Sequence, residues 1–254
     1  MTAFQIAVLA ALVLLILWIF IARSLKMTLT QYVLFAFNWT FTRALWRLRV
    51  IGTFPKDGEQ GYLLLSNHRS SADPMLLQAA IGRPLTWMIA REYAENPAIG
   101  WLLNIIGVIP VSRGGGDRGS VKTAISMLRD GKCIGIFPEG MINTTEDPLL
   151  PSHAGVGLIA LRAKVPIVPC WIEGAPYKGS LFNIFFMRAN ARVHIGPAIS
   201  PAELAEKVKN IVTEKRDDNS RVTLVLMQEM LRLAGQEPAK AVLLTAEATT
   251  ALNA

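Results

Sequence analysis

Two side chains in residues 63–74, LLLSNHRSSADP, are of types that together perform acid–base chemistry. An apolar, strand-like run ends there at Asn67 and His68. An unperturbed histidine titrates near pH 6.5, so His68 is suited to take a proton from a hydroxyl group at neutral pH. Such a base needs its second ring nitrogen held, commonly by a carboxylate, and Asp73 follows across a short polar turn. Aspartate before proline is also a frequent helix N-cap, so we expect Asp73 to serve both purposes.

Two further predicted strand ends carry polar residues, Arg113 in GVIPVSR and Glu139, after Pro138, in FPEG. The planar guanidinium of arginine offers two parallel donors to a phosphate. A carboxylate such as Glu139 accepts hydrogen bonds from hydroxyl groups or from the arginine itself, and a plain ion pair is the alternative. The following run GGGDRGS is either a mobile loop or a row of amides along a phosphate. We predict no metal site.

Four segments of the chain resemble the ordered blocks of the glycerolipid acyltransferases, the lysophosphatidic acid acyltransferase family. NHRSSAD, residues 67–73, is similar to the N-H-x-x-x-x-D signature, and GVIPVSR, residues 107–113, to the second block. FPEG, residues 137–140, resembles the third block, and VPIVPC, residues 165–170, the fourth. The blocks span roughly residues 48–200, and four matches in order are improbable by chance.

The resemblance implies a role for each candidate residue. His68 deprotonates the free hydroxyl of a lysolipid, which attacks an acyl thioester directly, and Asp73 holds the imidazole and stabilises its cation. Arg113, Glu139 and Gly140 bind the acceptor. The donor is acyl-CoA or acyl carrier protein as co-substrate, with no bound cofactor and no covalent acyl-enzyme.

A cysteine nucleophile is not expected. The segment GKCIG, residues 131–135, imitates a nucleophile elbow, but in such an elbow the strand comes first and the helix second. Here the order is reversed, so we interpret Cys133 as a core residue.

The chain departs from the family pattern at two places. The family usually has a small and then a basic residue after FPEG, where this chain has Met141, Ile142 and Asn143. A basic pair usually precedes the helix before the fourth block, where this chain has Ser152 and His153. Two expected positive charges around the acceptor headgroup are therefore missing.

Four reactions or roles are considered from these observations. The resemblance favours an O-acyltransferase that converts lysophosphatidic acid to phosphatidic acid in phospholipid biosynthesis. The alternatives are transfer to a different lysolipid and a His/Asp-dependent hydrolase of lipid esters or thioesters. A non-catalytic lipid-binding module is disfavoured, because a binding module does not need the histidine–aspartate pair.

The N-terminal residues predict membrane attachment. Residues 3–22 carry no charge, and as a helix they would be about 30 Å long, the thickness of a bilayer core. Basic residues follow this segment rather than precede it, which indicates an uncleaved anchor and places the downstream chain on the cytoplasmic face. Residues 28–50 interleave aromatic and polar side chains and end in arginines, typical of a helix in the headgroup region. The alternative is a helix that packs on the catalytic domain.

The net charge of +7 fits anionic lipid as a partner, and no nucleic-acid motif accompanies it. We therefore expect a lipid bilayer, a lysolipid acceptor and an acyl donor as partners, and no nucleic acid.

The remaining pattern predicts an α/β fold with a largely parallel central sheet of about seven strands flanked by helices, besides the N-terminal membrane helices. Seven short apolar runs predict the strands: 48–54, 62–66, 85–90, 108–112, 133–137, 167–172 and 191–195. The predicted divisions are a membrane anchor and interfacial helix at 1–47, the α/β domain at 48–200, C-terminal helices at 201–236 and an uninformative tail at 237–254.

Overall fold

The computed structural model describes residues 2–6, 8–9, 12–13, 27–55, 60–112, 117–153, 155–177, 183–211 and 217–236. The helices are α1 (Leu29–Leu45), α2 (Asp73–Ile81), α3 (Arg91–Ala94), α4 (Gly100–Ile106), α5 (Arg118–Arg129), α6 (Gly155–Ala163), α7 (Pro201–Asn210) and α8 (Asp218–Leu233). The strands are β1 (Arg49–Ile51), β2 (Tyr62–Leu65), β3 (Leu85–Ala90), β4 (Val108–Val111), β5 (Cys133–Ile136), β6 (Ile167–Glu173) and β7 (Arg192–Ile195). A 3₁₀-helix, Asn183–Phe186, lies between the last two strands.

The strands form one sheet in the order β1-β7-β6-β2-β5-β3-β4. Every pair of neighbours is parallel except β6 and β7. Each of the seven predicted apolar runs contains or largely overlaps one of these strands, so the predicted largely parallel sheet is confirmed. Parallel strands need crossover connections, and here α2, α5 and α6 are among the helices that supply them.

The hydrophobic core lies on both faces of the sheet. Along β2, Leu63 and Leu65 face one apolar cluster, while Tyr62 and Leu64 face the other. Side chains of α5, α6 and α8 complete the first cluster, and those of α1 and α2 complete the second. Because both faces of β2 are buried, its sequence is a continuous apolar run rather than an alternating one.

The sheet places two of the predicted blocks side by side. Leu65, the last residue of β2, pairs with Ile136, the last residue of β5. The carboxyl ends of adjacent parallel strands lie at the same edge of the sheet, where α/β folds gather their sites. The residues after β2, which include His68, therefore lie beside those after β5, which include Glu139.

Helix α1 packs on the domain along one face. Asn38 of α1 donates a hydrogen bond from Nδ2 to the carbonyl of Met75 in α2, at 2.9 Å. At the end of the helix, the fully buried Trp46 donates from Nε1 to the carbonyls of Ile184 and Met187. The structure thus fixes α1 against α2 and against the 3₁₀-helix.

The predicted anchor, residues 3–22, lies mostly outside the described residues. Residues 3–6, 8–9 and 12–13 of it are described, and they are helical. No helix within the described part of the chain is long and apolar enough to cross a bilayer. Residues 237–254 also lie outside the described residues.

A glycine of the central sheet allows an aromatic side chain to pack closely against it. Gly135 of β5 pairs with Trp87 of β3, and the indole ring lies over the glycine. A Cβ atom at Gly135 would come within 2.7 Å of three ring carbons of Trp87. The indole is in turn parallel to the Phe137 ring, with centroids 5.1 Å apart. Glycine at this position therefore makes room for an aromatic row.

We predict that Gly135→Ala lowers the free energy of unfolding by about 1–3 kcal/mol, the usual cost of overpacking a core. Thermal unfolding of the purified protein measures the change. Gly155→Ala is the matched control, because a Cβ there meets no atom within 4 Å, and it should be neutral or slightly stabilising. Equal unfolding temperatures for the two variants would contradict this account of the packing.

Candidate active site

The imidazole of His68 and the carboxylate of Asp73 are hydrogen-bonded. The His68 Nδ1 atom lies 2.9 Å from the Asp73 Oδ2 atom. The Asp73 side chain is fully buried, whereas the His68 side chain keeps 16% of its surface exposed. With Nδ1 engaged by a carboxylate, Nε2 is the nitrogen left to take a proton from a substrate. The pair predicted from sequence is therefore hydrogen-bonded, in an arrangement that suits a base and its orienting carboxylate.

The Asp73 carboxylate also fixes the loop that carries the histidine. Its Oδ2 atom accepts the backbone N–H groups of Arg69, at 2.6 Å, and Ser70, at 2.8 Å. Helix α2 begins at Asp73 itself, the N-cap residue is Ala72, and no side chain caps the helix. The expectation that Asp73 is the N-cap is therefore wrong. Its carboxylate turns back to the preceding loop, because the amides of the polar turn and the imidazole converge on one oxygen.

One face of the imidazole is covered by an aromatic ring. The rings of His68 and Phe137 are stacked with centroids 4.0 Å apart and 11° between their planes. Phe137 is stacked in turn on Trp87. The first residue of the FPEG block thus supports the imidazole, a role that the sequence analysis did not assign.

Glu139 holds the loops on either side of the site. Its side chain is 2% exposed, and its Oε1 atom accepts the backbone N–H of His68 at 2.7 Å. Its Oε2 atom accepts the backbone N–H of Leu150, also at 2.7 Å. Burial raises the pKa of this carboxyl to about 7, while the two N–H groups act in the opposite direction. The structure therefore shows Glu139 as a positioning residue, and its contact with an acceptor stays a prediction.

Asn67 joins the end of β2 to β6. Its Oδ1 atom accepts the N–H of Ile172 at 2.7 Å, and its Nδ2 atom donates to the carbonyl of the same residue at 2.9 Å. The asparagine is 1% exposed. Beside it in the loop, Ser70 donates from Oγ to the carbonyl of Pro176. The end of β2 before His68 is thus hydrogen-bonded to β6, and the loop that carries His68 is hydrogen-bonded to the segment after β6.

Arg69 ties the loop after FPEG to the histidine loop. Its guanidinium donates to the carbonyls of Asn143, at 3.2 Å, and of Thr145 and Asp147, both at 2.5 Å. The backbone N–H of Asn143 donates to the His68 carbonyl at 2.7 Å. This role of Arg69 was not predicted, because the signature leaves its position unspecified; its charge in an otherwise small, polar turn was the available signal.

The positions where the family usually has basic residues carry no positive side chain in this structure. Ile142 is partly buried, and Asn143 is buried with its side chain bonded within the loop. Ser152 is fully buried and donates to the carbonyl of Pro138 at 3.1 Å. The ring of His153 lies beside Gly140, whose φ of +71° favours glycine. Gly140 therefore shapes the turn, and its contact with an acceptor stays a prediction.

The predicted phosphate ligand Arg113 lies outside the described residues, as do the three glycines that follow it. Asp117, just after them, accepts the backbone N–H groups of Ser112, at 2.9 Å, and Ser120, at 3.0 Å. These bonds lower the pKa of Asp117 to about 2. The Asp117 carboxylate therefore takes one amide of the first turn of α5, that of Ser120, and the amide of Ser112 before the helix.

The two cysteines are core residues. Cys133 is 2% exposed at the start of β5, after α5, and Cys170 is fully buried in β6. Burial raises the pKa of both thiols, that of Cys170 to about 12. Neither thiol has the exposure or the acidity of a nucleophile, which agrees with the sequence interpretation.

The Acyltransferase family matches residues 47–173, half of the chain, and this range contains the dyad, FPEG and the clamp to β6. The chain belongs to the Acyltransferase family. It is an enzyme that transfers acyl groups, as its resemblance to the four blocks implied. A pair such as His68–Asp73 can activate a hydroxyl group, which would then attack an acyl group directly.

Named relatives share this region. A 1-acyl-sn-glycerol-3-phosphate acyltransferase of Bacillus subtilis is 30% identical over 148 residues, 58% of this chain and 71% of the relative. One of Borreliella burgdorferi is 26% identical over 59% of this chain and 61% of the relative. A lyso-ornithine lipid O-acyltransferase of Pseudomonas aeruginosa is 33% identical over 50% of this chain and 47% of the relative.

A solved structure shares the fold. The crystal structure of PlsC, the 1-acyl-sn-glycerophosphate acyltransferase of Thermotoga maritima, superposes with a TM-score of 0.57. The superposition covers 85% of this chain and 88% of that one, at 19% sequence identity. At this identity the likeness establishes the architecture, namely the α/β sheet with flanking helices.

We predict that Asp73→Asn lowers kcat by about 10²- to 10⁴-fold, as is typical when a histidine base loses its carboxylate. The asparagine oxygen can still accept the two loop amides, so the fold should survive while stabilisation of the imidazolium is lost. Steady-state acyl-transfer rates and an unfolding curve measure the two effects. Asp130→Asn, at an exposed residue after α5, is the control. Retention of full activity by Asp73→Asn would exclude the dyad as the base.

We predict that Glu139→Gln alters the pH dependence of stability. The pKa of this carboxyl is raised from 4.5 to about 7, so the folded state binds its proton more tightly than the unfolded state does. Its contribution to stability is therefore complete below about pH 4.5 and is lost as the pH rises through about 7, by up to about 3 kcal/mol. Denaturant unfolding of both proteins from pH 5 to 8 measures the difference.

Glutamine offers a single oxygen for two N–H donors, so Glu139→Gln should also displace the His68 loop and lower kcat. Glu146→Gln, at an exposed carboxylate of the same loop, is the control. If the free energy of unfolding changes with pH by the same amount in wild type and in Glu139→Gln, burial does not raise the pKa of Glu139.

Proposed function

We propose that this protein transfers a fatty acyl group from a thioester donor to the free hydroxyl of lysophosphatidic acid, giving phosphatidic acid. The observation that carries the proposal is the 2.9 Å bond between His68 and Asp73, with the second imidazole nitrogen left for a substrate. The names of the Bacillus subtilis and Borreliella burgdorferi relatives support lysophosphatidic acid as the acceptor.

The proposed reaction has two proton transfers at one atom. His68 Nε2 takes the proton of the acceptor hydroxyl while its oxygen attacks the thioester carbonyl carbon. The tetrahedral intermediate collapses with cleavage of the carbon–sulfur bond, and the imidazolium returns the proton to the leaving thiolate. Asp73 stabilises the imidazolium between the two transfers. The buried thiols of the described core take no part, so no acyl-enzyme is needed.

Acyl-CoA and acyl carrier protein are the proposed donors. Both carry the acyl group as a thioester, whose thiolate is a good leaving group, so a hydroxyl activated by one histidine suffices as nucleophile. We place the reaction at a membrane, with the catalytic domain on the cytoplasmic face and the apolar residues 3–22 as the attachment. The product would enter phospholipid biosynthesis.

A second acceptor class is favoured by the same structure. Ile142 and Ser152 bring no charge to the headgroup region, and Arg69 is held by three backbone carbonyls. A lysolipid without a phosphate monoester would need fewer cations. The Pseudomonas aeruginosa relative, named for a lyso-ornithine lipid, supports this alternative.

The test is acyl transfer by the full-length protein in lipid nanodiscs, with labelled acyl-CoA or acyl carrier protein and a panel of lysolipids. We expect phosphatidic acid from lysophosphatidic acid, and a loss of about 10²-fold or more in His68→Ala. His194→Ala, at a histidine of β7, is the control.

Three other outcomes of this test would change the proposed function or its mechanism. Product only from a zwitterionic or uncharged lysolipid would replace the acceptor with the second class. Release of free acid without transfer would convert the assignment to a hydrolase. Activity that survives His68→Ala would overturn the mechanism.

A further inference from the structure

The 3₁₀-helix Asn183–Phe186 carries the most exposed large apolar side chain among the described residues. Phe186 is 88% exposed and Phe185 is 36% exposed, whereas the neighbouring Ile184 is buried. Adjacent phenylalanines that are exposed to water indicate a surface made for an apolar partner.

This turn continues an exposed stripe of α1. Leu29, Val33 and Phe37 lie four residues apart on the face of α1 opposite Asn38, and they are 48%, 47% and 60% exposed. Their spacing places them in one row along the helix. The row leads to Phe41, which contacts the turn.

Ring contacts join the helix to the turn. Phe37 stacks on Phe41 with centroids 5.7 Å apart, and Phe41 lies 5.6 Å from Phe185. The turn is fixed there, because Trp46 donates to the carbonyls of Ile184 and Met187. We call the row Phe37, Phe41, Phe185 and Phe186 the aromatic ridge.

We propose that the aromatic ridge is a surface that contacts the bilayer, and that its 183–186 turn inserts between lipid headgroups beside α1. The turn is thus a second point of contact with the membrane, separate from the N-terminal apolar segment. Phenylalanine side chains at such a boundary bury apolar area without exposing polar atoms to the acyl chains.

Positive charge beside the aromatic ridge identifies an anionic bilayer as the occupant. Arg47 and Arg188 are exposed, and the backbone N–H of Ala189 donates to the Leu45 carbonyl, which places the two arginines at the same end of α1. Within the described residues, neither arginine forms an ion pair. Unpaired arginines that flank an apolar row complement lipid phosphates.

Helix α1, which carries part of the ridge, contacts α2, which begins at Asp73. Asn38 of α1 bonds to Met75, two residues after Asp73. Ser70, in the loop that carries His68, bonds to Pro176, in the segment that leads towards the turn. Under the proposed function, contact of the ridge with lipid would bring the domain that carries the base to the surface of the bilayer that holds the acceptor. This step rests on the proposed function, whereas the contact itself does not.

Labelling of a single cysteine tests the contact without any need for turnover. Cys133 and Cys170 are buried, so a cysteine introduced as Phe186→Cys can be labelled selectively with an environment-sensitive fluorophore. The labelled full-length protein is reconstituted in phosphatidylcholine–phosphatidylglycerol vesicles and quenched with doxyl-labelled lipid or with aqueous iodide. Ile51→Cys is the control, at a 47% exposed position of the edge strand β1.

We expect the label at 186 to be quenched by doxyl lipid and protected from iodide, and the label at 51 to behave in the opposite way. Iodide quenching of equal strength at both positions would overturn the proposal. Protection from iodide without quenching by doxyl lipid would also overturn it, and would show that the ridge is covered by the chain's own N-terminal residues or by a second copy.

A kinetic arm separates this proposal from the assignment of the reaction. We expect Phe186→Ser to raise KM for a vesicle-borne acceptor by about three- to tenfold with kcat unchanged, since one buried phenyl group is lost from the contact. Phe186→Leu should restore most of the affinity, and a short-chain monomeric acceptor should be unaffected by either change. If doxyl lipid quenches the label at 186 but the protein acylates no lysolipid, the bilayer contact is established and the proposed function is refuted.

Discussion

The site depends on one carboxylate oxygen, Asp73 Oδ2, which accepts three hydrogen bonds. It holds the imidazole of His68 and the backbone of the two residues that follow the histidine. Because the carboxylate is fully buried at the start of α2, these bonds form in a medium of low dielectric, where they are stronger than in water. A single group thus fixes the orientation of the imidazole and the path of the loop that presents it.

The surrounding fold extends this arrangement in two directions. Asn67 holds the end of β2 to β6, and Glu139 holds the histidine backbone to the loop after β5. Both side chains replace ladder hydrogen bonds at the edge where the strands end, so the loop is restrained on both sides. The aromatic row of Trp87, Phe137 and His68 then connects the imidazole to the packed sheet.

Much of the fold was predictable because its signals are local. Strands buried on both faces appear as short apolar runs, and β2 and β5 were found for that reason. The histidine–aspartate pair was found because its members are only five positions apart. The roles of Asn67 and Glu139 could not be predicted, because they bond to backbone atoms 105 and 71 residues away, and a sequence pattern does not record such contacts. The N-cap expectation for Asp73 failed because propensity does not say which amides a carboxylate faces.

The stacking of His68 on Phe137 has a consequence for the energy of the proposed reaction. An aromatic face attracts a cation more strongly than a neutral ring, and in the proposed reaction the imidazole becomes a cation when it accepts the hydroxyl proton. The stack at 4.0 Å would therefore stabilise that charged intermediate more than the neutral imidazole. Under the proposed function, Phe137 would contribute to turnover through this difference between two states, and Gly135 would contribute in turn by leaving room for the indole behind it.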